Sequence, residues 1–138
     1  GDEAYQASTT SKQNVVEPTV SDAITLAARQ VAKTVNANCI VTYTTSGSTT
    51  LRAARERPTV PILCVTSSLS TARRMAIAWG IHSVHIDQEE RFSSVVKRAV
   101  DIAETQGFAS TGDHIVITAG VPMGKSGSTN VLRIERIP

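Results

Sequence analysis

Aromatic side chains are nearly missing from this chain. Two Phe, two Tyr and one Trp make up 4% of its 138 residues. The interior must therefore be filled by aliphatic and alanine side chains, which suits helices lying close on a sheet. Cysteine is equally scarce. Cys39 and Cys64 both sit inside apolar runs, without CxxC or Cys/His ligand spacing. That excludes a disulfide scaffold and reads as two buried free thiols in a reducing cytoplasm. Charge of one sign is absent too: 14 basic against 12 acidic residues leave a formal net charge of +2, which gives no ground for a nucleic-acid partner. No run approaches the ~18 apolar residues of a membrane-spanning helix. A signal peptide is not seen, and the polar opening Gly1-Asp2-Glu3 without Met reads as a fragment boundary. Internal repeats and low-complexity tracts are also lacking.

What is present is ordinary for one soluble domain: 41% hydrophobic and 19% charged residues. Residues 1–18 are polar and end in Glu17-Pro18, as a linker or loose arm would. Residues 19–36 then carry Val20, Ala23, Ile24, Ala27, Ala28, Val31 and Val35 at helical spacing, with Thr19 or Ser21 as N-cap. The β-branched run Cys39–Tyr43 predicts a strand. Helical 49–57 follows, stopped by Pro58. Pro61–Thr66 is the next strand, 70–79 a helix closed by Gly80, and Ser83–Ile86 a short strand. Residues 89–106 predict an amphipathic helix with Phe92, Val95, Val96, Ala99, Ile102 and Ala103 on one face, ended by Gly107. His114–Thr118 and the alternating Asn130–Ile137 complete the pattern as two strands. The alternation defines an α/β fold with a largely parallel sheet between helix layers. The last two strands have only a loop between them and are expected to pair antiparallel.

The segment Thr44-Thr45-Ser46-Gly47-Ser48-Thr49-Thr50 carries the most chemistry. It lies between a strand and a helix start, where open α/β sheets collect ligands and where unpaired N–H groups favour an anion. Its hydroxyls and one glycine could cradle a phosphate or could form an ordinary N-capped turn. Arg52 is the cation expected nearest to it, while Arg55, Arg57, Arg73 and Arg74 read as helix-face or interface charges. The loop Ala119-Gly120-Val121-Pro122-Met123-Gly124-Lys125-Ser126-Gly127 has the relaxed spacing of a nucleotide-binding P-loop. The helix that should follow Lys-Ser is missing, because β-patterned sequence comes next. It reads instead as a loop closing over a ligand, with Lys125 as an anion contact. His82 and His85, three apart on a strand, point to opposite faces and read as structural. No nucleophile, base or carboxylate pair forms a catalytic set.

Together, Thr44-Thr45-Ser46-Gly47-Ser48-Thr49, Arg57-Pro58, Pro61-Ile62, Val65-Thr66, Thr71-Ala72-Arg73-Arg74, Trp79-Gly80-Ile81-His82 and Gly107-Phe108 resemble, in order and spacing, the pyruvate kinase C-terminal domain. Thr118-Ala119-Gly120-Val121-Pro122-Met123-Gly124 with Gly127-Ser128-Thr129-Asn130 is similar to its bacterial form. The resemblance runs from about residue 19 to the end. It implies a three-layer α/β/α sandwich with a mixed five-stranded sheet, mostly parallel, whose last strand is antiparallel. It also implies a parent enzyme that transfers a phosphoryl group from phosphoenolpyruvate to ADP, using magnesium and potassium held in a barrel domain outside this chain. This chain would then need no cofactor and would be inactive alone. By position, Thr44, Thr45, Ser46, Gly47, Ser48 and Thr49 would hold the phosphate of an allosteric sugar phosphate or AMP, and Gly120, Gly124, Lys125, Ser126 and Gly127 would belong to the effector loop. Val95 stands near the place of an arginine found in many fructose-bisphosphate-regulated members, so the resemblance implies a phosphate site without naming its effector. Expected partners are the barrel domain and further copies in a cytoplasmic tetramer, with neither nucleic acid nor membrane. The alternative is a stand-alone phosphate-sensing domain of the same fold, and a third reading is a nucleotide-dependent enzyme built on Lys125.

Overall fold

The computed structural model describes residues 19–123 and 129–138. Nine elements alternate along them: α1 (Val20–Thr34), β1 (Cys39–Tyr43), α2 (Ser48–Arg55), β2 (Ile62–Thr66), α3 (Leu69–Trp79), β3 (His82–His85), α4 (Phe92–Thr105), β4 (His114–Ala119) and β5 (Val131–Arg136). The sheet order is β3-β2-β1-β4-β5. β1 is parallel to both β2 and β4, and β2 is parallel to β3. β5 runs antiparallel to β4, as the short connection requires. This is the mixed five-stranded α/β sandwich expected from the sequence. The proposed arm, residues 1–18, lies outside the described residues.

Strand alternation sorts the core into two layers. Cys39, Val41 and Tyr43 face α4 and pack with Leu63, Val65, Ile115, Ile117, Val95, Ala99 and Ala103. The residue between, Ile40, faces α1 and packs with Val116, Ala28 and Ala32. Each fully buried aliphatic side chain contributes roughly 1.5–3 kcal/mol, and aliphatic residues supply most of this core, as the shortage of aromatics demands.

α1 forms where the apolar spacing predicts a helix. Its buried stripe is Ser21, Thr25, Ala28 and Ala32, while Val20 is 64% exposed and Ala23 also faces outward. Small and hydroxyl side chains let the helix sit close to the sheet, and Ser21 bonds Thr129 at the far end of the chain. Ala28 shares this face with them, and Val31 and Val35 pack against the same layer, so serine and threonine join apolar residues in the core. The N-cap is Thr19, in a reciprocal capping box with Asp22. The third strand sits one residue earlier than expected, at His82–His85, and α4 begins at Phe92 rather than near 89. Gly80 takes the left-handed conformation (φ +65°) that ends α3.

Candidate functional site

β1 delivers the chain to the carboxyl edge of the sheet, and the next residues make a tight turn into α2. Thr44 is buried, and its Oγ1 accepts the Gly47 N–H at 3.0 Å. Gly47 occupies left-handed space (φ +92°), and a Cβ there would stand 3.0 Å from Met75 Cε of α3. These two residues shape the turn. Thr45 and Ser46 are exposed and Ser48 is half-buried. Ser46 Oγ donates to Ser48 Oγ at 3.1 Å and accepts the Ser48 N–H at 3.3 Å. The first-turn N–H groups of α2 lack intrahelical acceptors and carry the positive end of the helix dipole. A phosphate arriving here would meet hydroxyls and backbone donors together.

The six hydroxyl and glycine positions expected to bind phosphate therefore divide into two groups. Thr45, Ser46 and Ser48 lie open to solvent or nearly so. Thr44, Gly47 and Thr49 are buried and hold the frame. Thr49 shares a hydrogen bond with the hydroxyl of Thr129, and Thr50 shares one of 2.7 Å with Thr42 of β1. The start of α2 is thus fixed to the sheet and to the stem of the loop between β4 and β5.

The cation bonded to this turn is Arg74, while Arg52 lines a groove with Ser48. Arg74 Nη2 donates to the Ser46 carbonyl, and Thr71 Oγ1 donates to the Thr45 carbonyl at 2.7 Å. Arg52 points to α1, where its Nε lies 3.3 Å from Asp22 Oδ1. The Thr19 backbone and side-chain hydrogen bonds, with Arg52 nearby, hold the Asp22 carboxyl below its ordinary value. Sequence reasoning passed over Arg74 because its link to Ser46 spans 28 positions and two elements.

The loop after β4 is braced at its ends. Asn130 Oδ1 accepts the Val121 N–H at 2.8 Å, and its Nδ2 donates to the Val121 carbonyl at 2.7 Å. The Thr129 N–H donates to Ser21 Oγ at 3.1 Å. Gly120 and Met123 belong to the near stem. Gly124, Lys125, Ser126 and Gly127 lie outside the described residues. Val95 is fully buried under the sheet, so that position of α4 offers nothing to a ligand.

His82 and His85 each serve structure. His82 Nε2 lies 3.0 Å from Gln106 Oε1, and its ring meets Phe108 edge-on with centroids 5.1 Å apart. His85 Nε2 lies 3.2 Å from the Ser67 carbonyl. Among the described residues no three His, Cys, Asp or Glu side chains gather as a metal site would. None of the described helices is long and apolar enough to cross a membrane.

Comparison with known proteins gives one consistent answer. Residues 22–135 match the family model described as "Pyruvate kinase, alpha/beta domain". The chain is 38% identical over 133 residues to a pyruvate kinase of Methylorubrum extorquens, covering 96% of this chain and 28% of that one. It is 37% identical over 121 residues to that of Geobacillus stearothermophilus, covering 88% and 21%. A crystal structure of a pyruvate kinase from Cryptosporidium parvum superposes with a TM-score of 0.78 at 27% identity, over 92% of this chain and 25% of that one. The chain thus spans about a quarter of the length of these relatives.

Proposed function

Because this chain belongs to the pyruvate kinase alpha/beta-domain family, we propose that it is the C-terminal regulatory and assembly domain of such an enzyme, binding a phosphorylated effector where α2 begins. The parent enzyme would transfer a phosphoryl group from phosphoenolpyruvate to ADP, and the domain alone would be inactive. The carrying observation is the hydroxyl set of exposed Thr45 and Ser46 and half-buried Ser48 at a helix start, with Arg74 against the same turn. Arg74 supplies the fixed positive charge and the helix start supplies oriented donors. Lys125, on the loop whose stems Asn130 and Thr129 hold, would close over the ligand.

An effector acts only through unequal affinity for two states of the parent. The linkage from this turn to α1, through Thr49, Thr129 and Ser21, gives ligand binding a route to the helix layer where copies of the enzyme would meet. Magnesium and potassium, which the family implies for the parent enzyme, would be held by the rest of the polypeptide. The test is a phosphotransfer assay of the complete polypeptide with and without sugar phosphates and AMP, alongside this domain alone. Activity in the complete polypeptide that shifts with one effector, and none in the domain, is the expected result. Activity in the isolated domain would overturn the assignment.

A further inference from the structure

The turn between β1 and α2 is gripped from one side by α3. Thr71, in the first turn of that helix, is buried. Its N–H donates to Ser68 Oγ at 3.2 Å, which fixes its backbone. Its Oγ1 donates to the Thr45 carbonyl at 2.7 Å. Its methyl carbon lies 3.3 Å from where a Cβ on Gly47 would stand. Arg74, three residues on, donates from Nη2 to the next carbonyl, that of Ser46. Two consecutive carbonyls of the turn are therefore held toward α3.

A trans peptide is planar, and its N–H is directed opposite to its C=O. The Ser46 and Gly47 N–H groups are therefore turned away from α3. From there the two differ. The Gly47 N–H is taken by Thr44 Oγ1 at 3.0 Å. The Ser46 N–H has no acceptor among the described residues, and Ser46 is exposed.

We propose that Thr71 is a positioning residue for the phosphorylated effector: by holding the Thr45 carbonyl, it keeps the Ser46 N–H presented to the phosphate beside the hydroxyls of Ser46 and Ser48. The inference rests on the reading of this turn as the phosphate site. A donor already oriented in the free protein spares the ordering cost of binding. Without the Thr71 bond the same peptide is free to rotate, and its carbonyl oxygen would then face and repel the anion. The affinity of the turn thus depends on where α3 sits. A shift of α3 against β1 would change ligand affinity although α3 itself need not touch the ligand.

Thr71→Val and Thr71→Ser separate the hydroxyl from the packing, since valine keeps the methyl group that faces Gly47 and serine keeps the hydroxyl. The complete polypeptide and both variants are titrated calorimetrically with fructose 1,6-bisphosphate, ribose 5-phosphate, glucose 6-phosphate and AMP, at a temperature where circular dichroism shows all three folded. Thr71→Val should weaken the ligand that binds the unmodified protein by about tenfold, the loss expected when a donor to a charged group is misplaced. Thr71→Ser should restore most of that affinity. Amide exchange at Ser46, with ligand saturating each protein, gives a second readout. The ligand should slow it in the unmodified protein and in Thr71→Ser, and leave it fast in Thr71→Val. Unchanged affinity in Thr71→Val overturns the proposal, and the turn still stands as the phosphate site if Arg74→Ala weakens binding. An equal loss in both Thr71 variants also overturns it, because packing against Gly47 would then be the cause. So does Ser46 exchange that the ligand leaves unchanged in the unmodified protein. Binding of none of the four to the unmodified protein would sink the phosphate site itself and the proposal with it.

Discussion

The hydroxyls of Thr49 and Thr129 share a hydrogen bond across 80 positions of sequence, joining the start of α2 to the far stem of the loop between β4 and β5. Thr49 therefore ties the start of α2 to that stem. Thr49→Val should leave Thr129 without its partner and cost about 1–2 kcal/mol, seen as a fall in the urea midpoint. Thr129→Val alone should cost a similar amount. The double variant should lose much less than the sum, because the two changes remove one bond. Strict additivity would show that the pair is not coupled.

Gly47 is held at φ +92° with Met75 Cε at contact distance from a would-be Cβ. Gly47→Ala should destabilise the domain by about 1–2 kcal/mol from the backbone alone. Met75 offers only the end of a flexible side chain, so Met75→Ala should recover little of that loss. Thermal unfolding of the two single variants and the double variant reads this directly. Full rescue by Met75→Ala would place the cost in packing instead.

Asp22 is held below its ordinary carboxyl value of 3.8, chiefly by the Thr19 backbone hydrogen bond and then by the Thr19 hydroxyl. A depressed folded value means that the stabilisation is fully present above the unfolded value and is lost as pH falls through the folded one. Asp22→Asn should therefore lower stability near neutrality and flatten the acid side of the urea-midpoint profile below about pH 4. A parallel downward shift at every pH would contradict the role of the carboxylate.

Cys39 and Cys64 are fully buried. Burial pushes the Cys39 thiol up to about 12 and raises Cys64 as well. Neither thiol should react with an aromatic disulfide reagent at mild alkaline pH while the domain is folded, and both should react once it is unfolded in urea. Rapid labelling of the native protein would mean that this core opens locally.

Strands, topology and most helix limits were legible because β-branched runs and Gly or Pro stops mark them. The antiparallel end of the sheet followed from the length of one loop. The buried face of α1 was legible only in part: Ala28, Val31 and Val35 stood out, but Ser21 and Thr25 enter the core through close packing and a bond from Ser21 to Thr129, neither of which hydrophobic spacing reports. The Ser/Thr turn stood out by composition, but its division into framing and open residues depends on which hydroxyls find partners after folding. Arg52 and Arg74 show the same limit. Proximity in sequence favoured Arg52, whereas Asp22 takes that side chain and Arg74 crosses from α3 to the turn.

The most direct test of effector binding at the turn is a calorimetric titration with fructose 1,6-bisphosphate, ribose 5-phosphate, glucose 6-phosphate and AMP. The complete polypeptide is compared with its Ser46→Ala/Ser48→Ala and Arg74→Ala variants. One of these ligands should bind the unmodified protein, and each variant should weaken it about tenfold or more, since a hydrogen bond to a charged group is worth roughly 1.5–3 kcal/mol. Undiminished binding in both variants, or no binding of any of the four to the unmodified protein, would contradict a phosphate site at the start of α2.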